Sequence, residues 1–71
     1  MQIRDPDIER RLREAFFICE LLRQVGEAPE TIRTWFMGME PYLDDEAPIE
    51  AIRQGQLREV HGAALAFAGG A

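Results

Sequence analysis

Trp35–Gly55, WFMGMEPYLDDEAPIEAIRQG, holds the only Trp, the only Tyr and two of the four Pro of a 71-residue chain. Five of the thirteen carboxylates fall inside it, and Glu27 and Glu30 stand just before it. Helical spacing is visible only at its two ends. Ile32, Trp35, Phe36 and Met39 close one apolar repeat, and Ile49 and Ile52 belong to another. Between them Pro41 and Pro48 bracket a run without period that contains Asp44-Asp45-Glu46. The stretch therefore reads as a helix end, a folded acidic loop and a short helix, around which two longer helices pack. Leu43 is expected to be buried in that loop, with Tyr42 half exposed through its hydroxyl.

Upstream, Asp5-Pro6-Asp7 reads as a helix start. Asp5 can cap, Pro6 suits the first helical position, and Asp7 and Glu9 favour the positive end of the helix dipole. Apolar residues at 8, 12, 15, 16, 19 and 22 mark one helical face over about 6–25, and Gly26 can end the helix in the left-handed conformation. Phe17, Ile18 and Leu21 lie off that line and widen the stripe into a band. Two readings stand side by side: a central helix buried on two sides, or a patch of Phe17, Ile18 and Leu21 left bare for a partner. Ala28-Pro29-Glu30 starts a second helix that Gly38 stops. The close pair it makes with the first resembles a helix-turn-helix, with TIRTWF as second element. Only Arg33 and two Thr there are suited to reach bases, and Glu27, Glu30 and Glu40 repel phosphate.

Downstream, Pro48–Gln54 reads as a short helix opened by Pro48 and closed by Gly55, with Ile49 and Ile52 facing inward. The three carboxylates before it lack the Asp-x-Asp-x-Asp-Gly pattern of a calcium loop and read more simply as caps and dipole partners for this helix. A last helix follows over about 57–68, with Leu57, Val60, Ala64 and Phe67 as its stripe. Gly62 costs that helix up to ~1 kcal/mol relative to Ala, which points to a close approach by another helix. His61 lies beside the stripe without a catalytic companion in the pattern.

Composition narrows the function. A chain this small buries roughly 60% of the surface of its unfolded form, so its core is marginal. Disulfides within it are excluded because Cys19 is the only cysteine, and one Cys with one His gives no metal set. A partner chain, homo-oligomeric or foreign, is the expected source of further stability. The net charge of −5 argues against direct nucleic-acid binding. That charge is uneven: residues 26–50 carry one Arg and seven acids, whereas the first 25 residues balance five against five. All eight basic side chains are Arg; with the abundant Ala and Gly this points to a GC-rich bacterial genome. No basic start followed by an apolar run, and no stretch of ~20 apolar residues, is present, so no signal peptide or membrane span is expected and a cytoplasmic location is the default. No catalytic residue, metal site or cofactor is expected.

Trp35, Pro41, Leu43, Pro48, Ile49, Ile52 and Gly55 together resemble the signature of the Xre/MbcA/ParS-type antitoxin toxin-binding domain. That signature has a Trp closing one helix, a loop with x-Pro-x-Leu, an acidic or Gly-rich step, then Pro-aliphatic, a second aliphatic three on, and Gly. REAFFICELLRQVGEAPETIRTW before it and LREVHGAALAFAGG after it are similar to the family's flanking helices, so the likeness spans about residues 8–70. The resemblance implies an all-helical domain that neutralises a toxin, typically an NAD-degrading enzyme of the RES type, by covering its NAD pocket. Carried onto this chain, it places Phe67 and the Gly69-Gly70-Ala71 tip near the toxin. The helix-turn-helix domain that members often carry upstream, which autoregulates their operon, is not among these 71 residues, and Asp44-Asp45-Glu46 is more acidic than the Gly-rich version.

The expectation is one all-α domain of four helices, two longer and two short, with an acidic Pro-bracketed loop. Its expected core is Leu12, Phe16, Cys19, Leu22, Ile32, Trp35, Phe36, Leu43, Ile49, Ile52, Val60, Ala64 and Phe67. The residues expected to meet a partner are Phe17, Ile18, Leu21, Tyr42, Phe67, Gly69 and Gly70. The expected role is a protein-binding module that occludes a partner toxin; the alternative is a dimerising or DNA-linked transcriptional regulator.

Overall fold

The computed structural model describes residues 5–69. They form four helices and no strand: α1 (Pro6–Gln24), α2 (Pro29–Met37), α3 (Pro48–Arg53) and α4 (Leu57–Gly69), with a 3₁₀ turn at Pro41–Leu43 between α2 and α3. The small all-α domain read from the sequence is the one observed.

The helix ends follow local chemistry. The Asp5 carboxylate accepts from the Asp7 backbone N–H at 2.9 Å, with Pro6 in the first turn and Arg23 in the last. α1 and α3 close in the same way. Gly26 (φ 97°) and Gly55 (φ 82°) take left-handed backbones. Glu27 N–H reaches the Leu22 carbonyl and Gln56 N–H the Ala51 carbonyl, five residues back in each case, which is a Schellman closure. Gly38 ends α2 with an extended backbone instead.

The acidic loop departs from the expectation that its carboxylates cap α3. Ala47 is the residue before α3 and supplies no side-chain cap. Asp44 (φ 57°) and Asp45 (φ 67°) are two successive left-handed residues, and Glu46 N–H donates to the Leu43 carbonyl at 3.1 Å. This is the arrangement of a type I′ turn, and Asp is among the few side chains that tolerate it. Glu46 instead accepts from Gln54 Nε2 at 2.8 Å, tying the loop to the far end of α3. Glu40 does the capping. One of its carboxylate oxygens accepts from the Tyr42 backbone N–H at 2.9 Å, and the other from the Trp35 indole N–H at 2.6 Å.

The core runs between α1, α2, α3 and α4. Ile18 and Leu22 of α1, Ile32, Trp35 and Phe36 of α2, Leu43, Ala51 and Ile52, and Val60, Ala63 and Ala64 of α4 are buried. Several residues expected in the core are not. Phe16 is 69% exposed, Leu12 66% and Ile49 43%, whereas Ile18, expected as part of a bare patch, is 0% exposed. The cause is rotational. At 100° per residue, Phe16 and Ile18 stand about 200° apart around α1, while Leu12 and Phe16 are only about 40° apart. α4 packs on the Ile18/Leu22 side, so the Ile8-Leu12-Phe16 row faces out. Cys19 and Leu21 lie at the margins, half-buried against the core. Phe67 is also marginal, its ring 5.8 Å from that of Trp35.

Candidate partner-binding surface

The outward face of α1 leads into an open groove. Its walls are Ile8, Leu12, Ala15 and Cys19 from α1, Pro29, Ile32, Phe36 and Met37 from α2, and Ile49 and Ile52 from α3. It encloses about 740 Å³. The groove lies where α1, α2 and α3 meet on the face away from α4, with Ile32, Phe36 and Ile52 of the core at its floor. α3 has only six residues, too short to fill the gap between α1 and α2.

The rim is basic. Arg11 and Arg23 come from α1, Arg33 from α2 and Arg53 from α3, against the single carboxylate of Glu20. Glu20 accepts from Arg23 at 2.9 Å and holds its guanidinium more firmly protonated. Glu50, one turn before Arg53, pairs with it at 3.5 Å. Both pairs are solvent-exposed i,i+3 pairs and contribute little to stability. Arg11, half-buried, and Arg33, exposed, make no ion pair among the described residues. On the groove wall, partial burial and then the Glu20 charge push the Cys19 thiol above its ordinary range. Cys19 is therefore a neutral, weakly nucleophilic thiol at neutral pH.

A second feature joins the two end helices. His61 Nδ1 of α4 lies 3.0 Å from Glu14 Oε2 of α1, and the Phe17 ring stacks on the imidazole at 5.3 Å between centroids. Phe17, expected at a partner surface, is thus half covered by α4. The recess beside this pair is lined by Glu14, Leu57, Arg58, His61, Gly62 and Leu65, a lining without hydroxyl or thiol nucleophile. Among the described residues no group of three or more His, Cys, Asp or Glu is placed to hold a metal ion, and no helix is long and apolar enough to cross a membrane.

The remaining expected partner residues are scattered. Tyr42 is mostly exposed, but its ring lies over Gly62: a Cβ there would stand 3.5 Å from the ring. The close approach anticipated at Gly62 is made by this ring and not by a helix. Gly69 is the exposed last residue of α4. Gly70 lies outside the described residues. Ile18 is enclosed by the core and cannot touch a partner, and Leu21 is half enclosed. Sequence reasoning missed the groove, its arginine rim and the Glu14–His61 contact. The rim residues were visible as Arg at 11, 23, 33 and 53, but only the fold brings them around one opening.

No family model, no curated protein and no solved structure matches the chain.

Proposed function

We propose that the chain is a protein-interaction module of the antitoxin type, which binds a partner enzyme and occludes it. The partner class is the one implied by the resemblance in Trp35–Gly55: a RES-type, NAD-degrading toxin in a bacterial cytoplasm. The observation that supports the reading is the uncovered apolar surface of α1. Ile8, Leu12 and Phe16 stand in one exposed row that continues into the groove, on a domain too small to spare that much apolar area. A partner that covers this row recovers ~25 cal/mol for each Å² of apolar surface removed from water.

The decisive experiment is light scattering of the chain over a range of concentrations, alone and with the product of the adjacent gene. The expected result is a defined hetero-complex in which NAD loss by the partner is suppressed. A homo-oligomer that ignores the neighbour overturns the antitoxin reading in favour of a dimerising regulator, for which the same apolar row would be the self-association face.

A further inference from the structure

We infer that the groove between α1, α2 and α3 is a docking site for an amphipathic helix with acidic flanks, supplied by the partner protein. The inference rests on the reading of the chain as an interaction module and names the element of the partner that it grips.

Charge and shape together select the occupant. Four of the chain's eight arginines line this groove, but only one of its thirteen carboxylates does. Glu20 and Glu50 pair with Arg23 and Arg53, which leaves Arg11 and Arg33 as the cations without an ion pair among the described residues, a local reversal of sign on a chain of net charge −5. Arg11 is half-buried there and makes no ion pair among the described residues, so its guanidinium is free to meet an incoming anion. A single anionic headgroup cannot meet the whole rim. Arg11 and Arg23 are twelve residues apart on α1, about 18 Å along the helix, and Arg33 and Arg53 stand on other helices. Carboxylates spread along both flanks of a helix do match that spacing. The floor fits the same occupant, because an apolar trough open along its length takes side chains at i, i+3, i+4 and i+7.

A second copy of the chain fits less well. A two-fold dimer joins the same patch to itself, which would set Arg11 and Arg33 of the two copies face to face with no carboxylate of the groove lining left to pair with them. Docking of one copy's acidic loop into another's groove would have to be reciprocal in a two-fold pair or else would form a ring or filament, each of which is visible as a change of solution mass with concentration.

The test uses the full chain and two labelled helical peptides of about 16 residues, long enough to span the groove. Both carry Leu at the helical anchor positions; one has Glu on its flanks and the other Lys. Fluorescence anisotropy measures binding, and iodoacetamide labelling of Cys19, read by mass spectrometry, reports whether the groove is filled. The Glu peptide is expected to slow Cys19 labelling and to bind at least about tenfold tighter than the Lys peptide at low salt, with the difference shrinking as salt rises. The double substitution Arg11→Glu with Arg33→Glu, at two positions outside the core, should reverse the preference. Circular dichroism confirms that this variant remains folded.

Equal binding of the two peptides, no binding of either, or an unchanged preference in the double variant overturns the inference. So does protection of Cys19 that grows with protein concentration in the absence of peptide, which means that a second copy fills the groove. The module reading fails separately. A complex with the adjacent gene product that forms equally well in the double variant, with Cys19 still reactive, sinks the groove inference and leaves the module intact. Docking of the Glu peptide with no complex to that neighbour does the reverse.

Discussion

Replacing Glu40 by Ala tests the central junction of the molecule. One carboxylate accepts from the Trp35 indole N–H at 2.6 Å and from the Tyr42 backbone N–H at 2.9 Å. The first is a part-buried bond to a charged acceptor, a class worth ~1.5–3 kcal/mol, and the second is a capping bond worth ~0.5–2 kcal/mol. The two are not additive, since one side chain makes both. Removing a negative charge beside Asp44, Asp45 and Glu46 also relieves a few tenths of a kcal/mol of repulsion, on the scale of exposed charge pairs. The net expected loss is about 2–3 kcal/mol. A domain of 71 residues has roughly 4–11 kcal/mol in all. The midpoint of urea unfolding, followed by the emission of the sole Trp, should fall by about 2 M for an m-value near 1 kcal/mol/M. The melting temperature should fall by roughly 8–24 °C, at about 4–8 °C per kcal/mol. Glu40→Gln keeps one acceptor oxygen and should lose about half as much. If Glu40→Ala melts within about 3 °C of the parent, the carboxylate does not organise the loop and the account of the junction is wrong.

Three further outcomes are expected. Ile18→Ala should cost ~2–5 kcal/mol in urea unfolding, whereas Phe16→Ser, two residues away on the open side of α1, should leave stability within about 1 kcal/mol; equal losses would mean that α1 is rotated from the position described. Asp45→Gly relieves a left-handed side chain at the second position of the type I′ turn and should raise stability by up to ~1 kcal/mol; a loss of that size would show that the carboxylate has a partner in solution. The Cys19 thiol, with its pKa raised by burial and by Glu20, should react with iodoacetamide at pH 8 several-fold more slowly than a free cysteine. The same shift has a sign for stability. The folded state holds the thiol proton more tightly, so this contribution is fully present below the unfolded thiol's pKa of ~8.5 and is lost as pH rises above it; Cys19→Ser should flatten that alkaline decline.

What the sequence made legible was punctuation. Asp5-Pro6 and Pro29 opened helices, and Gly26 and Gly55 closed them in the left-handed form, because each effect is carried by one or two residues and their own backbone. The all-α architecture followed from those marks together with the apolar spacing. The faces of α1 were not legible. Periodicity measures how wide an apolar band is, and a band covering Ile8, Leu12, Phe16, Phe17, Ile18 and Leu22 does not say which half the later helices will occupy. The order was inverted for Phe16 and Ile18 for that reason. The carboxylates misled in another way. Asp44, Asp45 and Glu46 stand where caps of α3 are expected, but left-handed backbone at the two aspartates turns the chain before α3 begins, so α3 has no side-chain cap and Glu40, farther upstream, caps the 3₁₀ turn at Pro41–Leu43. The groove needed three helices in place before its arginines shared a rim.

The pairing of α1 with α4 has a consequence for synthesis. Glu14 meets His61 across 47 positions of sequence, so the α4 cover for Ile18 and Leu22 is made after the other three helices. At ~5–20 residues per second, α1 waits roughly 2–9 s after Glu14 is added before its partner helix exists. During that interval the Ile18/Leu22 side of α1 lacks its α4 cover, and closure must then bring together distant segments. The order of helices therefore delays closure of the domain until α4 has been made, and the nascent chain passes through a sticky stage in which any apolar helix nearby competes with its own α4.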